Sequence, residues 1–146
     1  MTPPRPYSFF HIFLSAAGIG CSICLAVFLS RRRKDPQRRL FLCGLFLAVS
    51  EIYKQLFLTL VVHPGVYDWW YFPFQLCSVP MYLCLLLPFL PSGGKKIFAA
   101  FLQDYSLLGG FMALAEPSGL MHPYVTLTLH GFFWHFALIF IGTSCF

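Results

Sequence analysis

The chain has 146 residues, of which 58% are hydrophobic and 10% charged, with a net charge of +5. A soluble domain carries roughly 25% charged residues, so this chain cannot coat itself against water and its main solvent is lipid. The positive charge does not indicate nucleic acid: six of the ten basic residues crowd into Arg31 to Arg39, between two apolar runs, which marks a cytoplasmic membrane loop and not a duplex-binding face.

The first apolar run covers about Phe9 to Ser30. It is too long for a cleaved signal, and the basic cluster follows it where a signal needs one in front. "GIGC" at Gly18 to Cys21 looks like part of a lipoprotein box but lacks that basic lead. Cys21-Ser-Ile-Cys24 has redox or metal spacing, yet no second ligand pair lies near it, and two small residues one turn apart usually just pack. The six cysteines, Cys21, Cys24, Cys43, Cys77, Cys84 and Cys145, all fall inside apolar runs. Disulfide frameworks belong to short, loop-rich secreted chains, so free thiols are expected. No metal or other cofactor is expected.

The second run is Leu40 to Val62, the third Trp69 to Leu90, the fourth Ile97 to Ala115 and the fifth Val125 to Phe146. Each approaches the ~20 residues that cross a ~30 Å hydrocarbon layer. Backbone groups in that layer must be satisfied internally, so each run should be helical. The expected fold is all-α, a polytopic transmembrane helix bundle with five spans in one domain over residues 1–146. The links "HPGVYD" (His63 to Asp68), "PSGGKK" (Pro91 to Lys96) and "EPSGLMHPY" (Glu116 to Tyr124) carry the Pro and Gly that stop helices. The chain ends on "GTSCF" with no polar flank, which reads as a truncated copy of a longer protein.

With alternating spans, Lys95 and Lys96 join Arg31, Arg32, Arg33, Lys34, Arg38 and Arg39 on one side, and Arg5 alone falls on the other. Eight basic residues against one is an inside bias. The expected location is the cell membrane, multi-pass, with the N-terminus outside and the C-terminus inside. "YDWWYF" (Tyr67 to Phe72) would anchor the outer interface.

Ionisable side chains inside spans are costly unless paired or hydrated. Glu51 and Lys54 share one face of the second span, three residues apart, and can pair. Gln75 lies in the third span, Asp104 in the fourth, and His130 and His135 in the fifth. At ~1.5 Å of helical rise per residue, Cys77, Lys54 and His130 fall at similar depth in the outer half of the membrane, with Glu51 and Asp104 deeper. A thiol reacts as its thiolate, which oil disfavours and a nearby cation or imidazole restores. A Cys–His pair so placed can attack an ester and hold the acyl group as a thioester. The same residues allow a structural reading. A lone cysteine in a transmembrane helix is usually filler, and Glu51 with Lys54 would join helices. Pro80 should free the Leu76 carbonyl and bend the third helix beside Cys77, and Gly109-Gly110 should let the fourth helix approach a neighbour.

Four segments in order, "SEIYKQ" (Ser50 to Gln55), "FPFQLCSVPMYL" (Phe72 to Leu83), "GGFMALAEPSG" (Gly109 to Gly119) and "LHGFFWHFALIF" (Leu129 to Phe140), resemble the YwaF-like family of integral membrane proteins. That family is similar to a eukaryotic transmembrane acyltransferase that remodels ether phospholipids through a cysteine and a histidine. The resemblance covers roughly Leu40 to the C-terminus. It implies Cys77 as nucleophile and His130, followed by Gly131, as its base. Glu51 and Lys54 match the charged pair of the second helix, and Gly109, Gly110 and Pro117 match the small-residue helix ending in proline. Many bacterial members resemble "LPLHLC" around the cysteine; here Gln75 stands where they have histidine, and an amide orients a partner but does not act as a base. Members also carry at least one further span.

The two functions to be separated are a Cys/His lipid acyltransferase or hydrolase and a non-enzymatic small transporter or membrane-assembly subunit. In the first, Cys77 and His130 do the chemistry, with Lys54, Glu51, Gln75 and Asp104 in support. In the second, Glu51, Lys54 and Asp104 line a polar path or an interface. The partner expected in both is membrane lipid and not nucleic acid; the oligomeric state stays open.

Overall fold

The computed structural model describes residues 5–32 and 35–145. Among them no strand occurs, and five segments are long and apolar enough to cross a membrane. The long helices are α1 (Phe9–Arg32), α2 (Pro36–Phe57), α4 (Ser92–Ala115) and α5 (Val125–Ser144); the third span contains the short α3 (Val79–Leu86). Of the basic cluster, Arg33 and Lys34 lie outside the described residues.

Local chemistry sets the helix starts. Asp35 caps α2 by accepting from the Arg38 N–H at 3.1 Å, and Pro36 sits where a missing N–H costs nothing. At its far end α2 runs into a wider-wound turn over Leu58–Val62, with Thr59 Oγ1 donating to the Gln55 carbonyl. Gly65, at a φ of 76°, makes the tight turn that follows. The last carbonyls of α4 have partners from α1 and the turn before it: Tyr7 donates to Ala115 O and His11 Nε2 to Leu114 O.

α5 is the central rod. Of its apolar window 56% is buried, against 6% for α1, which turns only a stripe with His11, Ser15, Ser22 and Ala26 inward. One core cluster joins Leu40 and Leu47 of α2, Met81 of α3, Leu102 of α4 and Leu138 of α5. A second sits under the loop before α5 and joins Leu114, Leu120, Phe132 and Ile139. Lipid gives helices little hydrophobic reason to associate, so close backbone packing does that work. At Gly110 an added Cβ would lie 2.6 Å from Ile139 Cγ1 and 3.1 Å from His135 O; at Gly142 it would lie 2.9 Å from Gln103 O. The close approach of α4 to α5 therefore rests on Gly110 and Gly142. Gly109 has only an ordinary contact, with Leu138.

The ends of the bundle are chemically distinct. Lys95 Nζ donates to Gln37 Oε1 at 3.1 Å, which joins the links after the first and third spans at one end. The links after the second and fourth spans meet at the other, where Tyr7 also binds.

The third span departs from the expected continuous helix. It is assembled from a 3-10 turn at Trp69–Tyr71, a non-helical stretch, a second 3-10 turn at Leu76–Ser78, α3, and a third 3-10 turn at Leu87–Phe89. Pro80 does not kink a helix; it stands in the first turn of α3, where proline fits. Side chains satisfy the carbonyls that the break exposes. Gln75 Nε2 donates to Trp70 O, Gln55 Nε2 to Tyr71 O, Tyr82 OH to Pro73 O, Tyr105 OH to Leu76 O and Trp134 Nε1 to Cys77 O. Irregular backbone survives at membrane depth only when buried in protein or lining a cavity, and here it does the latter.

Candidate functional site

The break in the third span borders a cavity of about 420 Å³ at the end of the bundle opposite the basic links. Cys77, His130, Lys54, Glu51 and Gln75 all line it. Asp104 does not: it is exposed on the outer face of α4. Four elements thus contribute five of the six residues expected at the site, counting the 3-10 turn of Cys77 apart from the extended stretch of Gln75.

Cys77 is half-buried on its 3-10 turn, so the helical rise used to place it in sequence does not apply. Its thiol donates to Gln75 Oε1 across 3.8 Å, while Gln75 Nε2 donates to Trp70 O at 2.9 Å. The amide is therefore fixed with its oxygen toward the sulfur, an orienting role.

His130 sits in the second turn of α5, and its Nε2 lies 3.1 Å from the Ser50 carbonyl. A carbonyl only accepts, so Nε2 carries the proton and Nδ1 keeps the lone pair. Four residues on, and so on the same helix face, Trp134 holds its ring 5.6 Å from the His130 ring and donates to Cys77 O at 3.0 Å. One side chain thus touches both the imidazole and the backbone of the thiol.

Lys54 Nζ and Glu51 Oε1 pair at 2.8 Å, with the carboxylate 6% exposed and the ammonium 14%. Gln55 Nε2 also donates to Glu51 Oε1, at 2.7 Å. A buried ion pair is costly to hold unless further hydrogen bonds complete it, and Gln55 supplies one. The pair brings a fixed cation to a cavity that an anionic or ester oxygen can enter.

Two further imidazoles face the cavity. His135 is buried, and its Nδ1 donates to Gly131 O at 2.7 Å. His122 lies in the link before α5. Thr128 Oγ1 clamps that link by accepting from His122 N–H and donating to His122 O. Burial pushes the His122 imidazole below its usual 6.5, and the nearby Lys54 adds to this, against an opposing hydrogen bond with the Gly119 backbone. The sequence reading did not place His122, His135 or Trp134 in the site. For Trp134 and His135 the signal was available, since each lies on the same face of α5 as His130 or Gly131. For His122, a link residue, there was none.

All described cysteines are free. Among the described residues, no group of three or more His, Cys, Asp or Glu is placed to hold a metal ion. The model of the TMEM164 family matches residues 6–145. No curated protein and no solved structure matches the chain.

Proposed function

The chain belongs to the TMEM164 family, and from that premise and the cavity we propose that it is a lipid acyltransferase or lipid hydrolase working through a thioester on Cys77. The observation that carries the reading is that one cavity, set among membrane-crossing helices, is lined by a thiol, an imidazole with a free lone pair at Nδ1 and a paired ammonium. The resemblance to the YwaF-like family, and through it to a cysteine–histidine acyltransferase, supports the same residues.

In the first half-reaction, the Cys77 thiol gives its proton to His130 Nδ1 and the sulfur attacks the carbonyl carbon of a phospholipid ester. The carbon–oxygen bond breaks, and the departing alkoxide takes the proton back from His130 as a lysophospholipid hydroxyl. Lys54 offsets negative charge on the thiolate or on a phosphate headgroup. Glu51 fixes Lys54, and Gln75 orients the thiol. In the second half-reaction, His130 Nδ1 takes the proton of a lysophospholipid hydroxyl as its oxygen attacks the thioester carbonyl; the carbon–sulfur bond breaks, the Cys77 thiolate takes the proton back, and a new phospholipid leaves, or a free acid where water attacks instead. The cavity would open to the outer leaflet of the cell membrane, with the N-terminus outside and the C-terminus inside.

The buried Glu51–Lys54 pair also suits a non-enzymatic transporter or assembly subunit. Of the three residues expected on a polar path, Glu51 and Lys54 line the cavity and Asp104 is exposed on α4. The deciding experiment is intact mass spectrometry of the chain reconstituted with phospholipid. An acyl adduct on Cys77 that hydroxylamine removes, and that is lost in Cys77→Ala and in His130→Ala, is the expected result. An unmodified thiol, with substrate flux lost in Glu51→Gln, would replace the enzyme with the transporter.

A further inference from the structure

A second cavity, of about 570 Å³, opens at the other end of the bundle, between the start of α2, the start of α4 and the end of α5. Among the described residues, its lining holds three cationic side chains, Arg39, Lys95 and Lys96, and no carboxylate. Arg39 is 9% exposed; Nη1 donates to Ser30 Oγ at 2.9 Å, while its buried Nε has no partner. Ser144 is 3% exposed, and its Oγ, at the same cavity, is also without a partner. A buried guanidinium N–H and a buried hydroxyl, both without a partner on residues that line one cavity, are unusual, because such groups are costly to strand.

The backbone points the same way. α4 is a 24-residue helix whose first turn has neither a side-chain cap nor an acidic residue. Its start, Ser92-Gly93-Gly94, has no bulk at Gly93 to cover the leading amides. The positive end of a long helix dipole therefore meets the three cations, an arrangement that takes an anion. Leu40, Leu87 and Ala99 also line it, so the cavity offers cationic and apolar walls together.

We propose that this basic-end cavity is a binding site for the phosphate group of an anionic phospholipid, with Arg39, Lys95 and the α4 N-terminus as its ligands. The apolar wall favours a lipid headgroup over a free phosphate ion. The site lies apart from the thiol cavity and takes no part in the chemistry there.

The test is thermal unfolding of the purified chain in a neutral detergent, titrated with dioctanoyl phosphatidic acid, dioctanoyl phosphatidylcholine or inorganic phosphate. Phosphatidic acid is expected to raise Tm more than phosphatidylcholine at equal concentration. Its apparent affinity is expected to fall about tenfold in Arg39→Gln and in Lys95→Gln/Lys96→Gln, the loss of a charged hydrogen bond. The lysine double variant alters surface groups and keeps the test open if Arg39→Gln does not fold. Equal stabilisation by inorganic phosphate would uphold the phosphate site and assign it to a soluble anion. Equal responses to the two lipids, or an undiminished response in the lysine variant, would overturn it.

Discussion

Trp134 donates its indole N–H to the carbonyl of Cys77 at 3.0 Å, and this bond ties the central rod of the bundle to the broken third span. Replacing Trp134 by Phe keeps most of the ring and strands that carbonyl. The expected cost is about 1–3 kcal/mol, read as a lower Tm in detergent. Acylation of Cys77 should slow more than stability falls, because the turn that presents the thiol loosens. Tyr105→Phe strands the neighbouring Leu76 carbonyl and should cost stability similarly, with less effect on acylation.

The Glu51–Lys54 pair should show strong coupling. Removing one partner of a buried pair leaves an uncompensated charge, and Glu51→Gln or Lys54→Met alone should cost about 3–5 kcal/mol. Together they should cost less than the sum. A double-mutant thermal cycle measures the difference, and simple additivity would mean that the charges do not depend on each other.

Acidification should destabilise the fold through His122. Its folded pKa lies below the usual 6.5, so below pH 6.5 the unfolded chain takes up a proton that the folded chain refuses. Stability is therefore full above about 6.5 and declines as the pH falls toward the folded value. His122→Gln should flatten that limb of a Tm–pH profile; an unchanged slope would place the cause elsewhere.

Packing between α4 and α5 should respond sharply to one glycine and mildly to its neighbour. Gly110→Ala forces a Cβ against Ile139 and the His135 carbonyl and should cost about 1–3 kcal/mol by overpacking. Gly109→Ala meets only an ordinary contact with Leu138 and should change Tm little. The pair of variants separates crowding from a general effect of losing glycine.

Spans were legible because hydrocarbon thickness and backbone satisfaction leave little choice once an apolar run is long enough. The Glu51–Lys54 pair was legible because residues three apart share a helix face. The break around Cys77 was not. A proline in an apolar run reads equally as a kink or as a first turn, and the choice is made by distant side chains: Tyr105, Trp134 and Gln55 reach the freed carbonyls from three other places in the chain. The sequence reading added Asp104 to the site as an ionisable group inside a span, although it placed it deeper than Cys77, Lys54 and His130. Depth says nothing about direction around a helix, and Asp104 faces outward.

The position of Pro80 works as a ruler. A proline is tolerated only in the opening turn of a helix, so α3 cannot extend backward through Cys77. A single residue inserted between Cys77 and Pro80 would leave the helix where it is and rotate the 3-10 turn before it by roughly 120° about the axis. The sulfur would then leave its present place on the cavity wall with no lining side chain deleted.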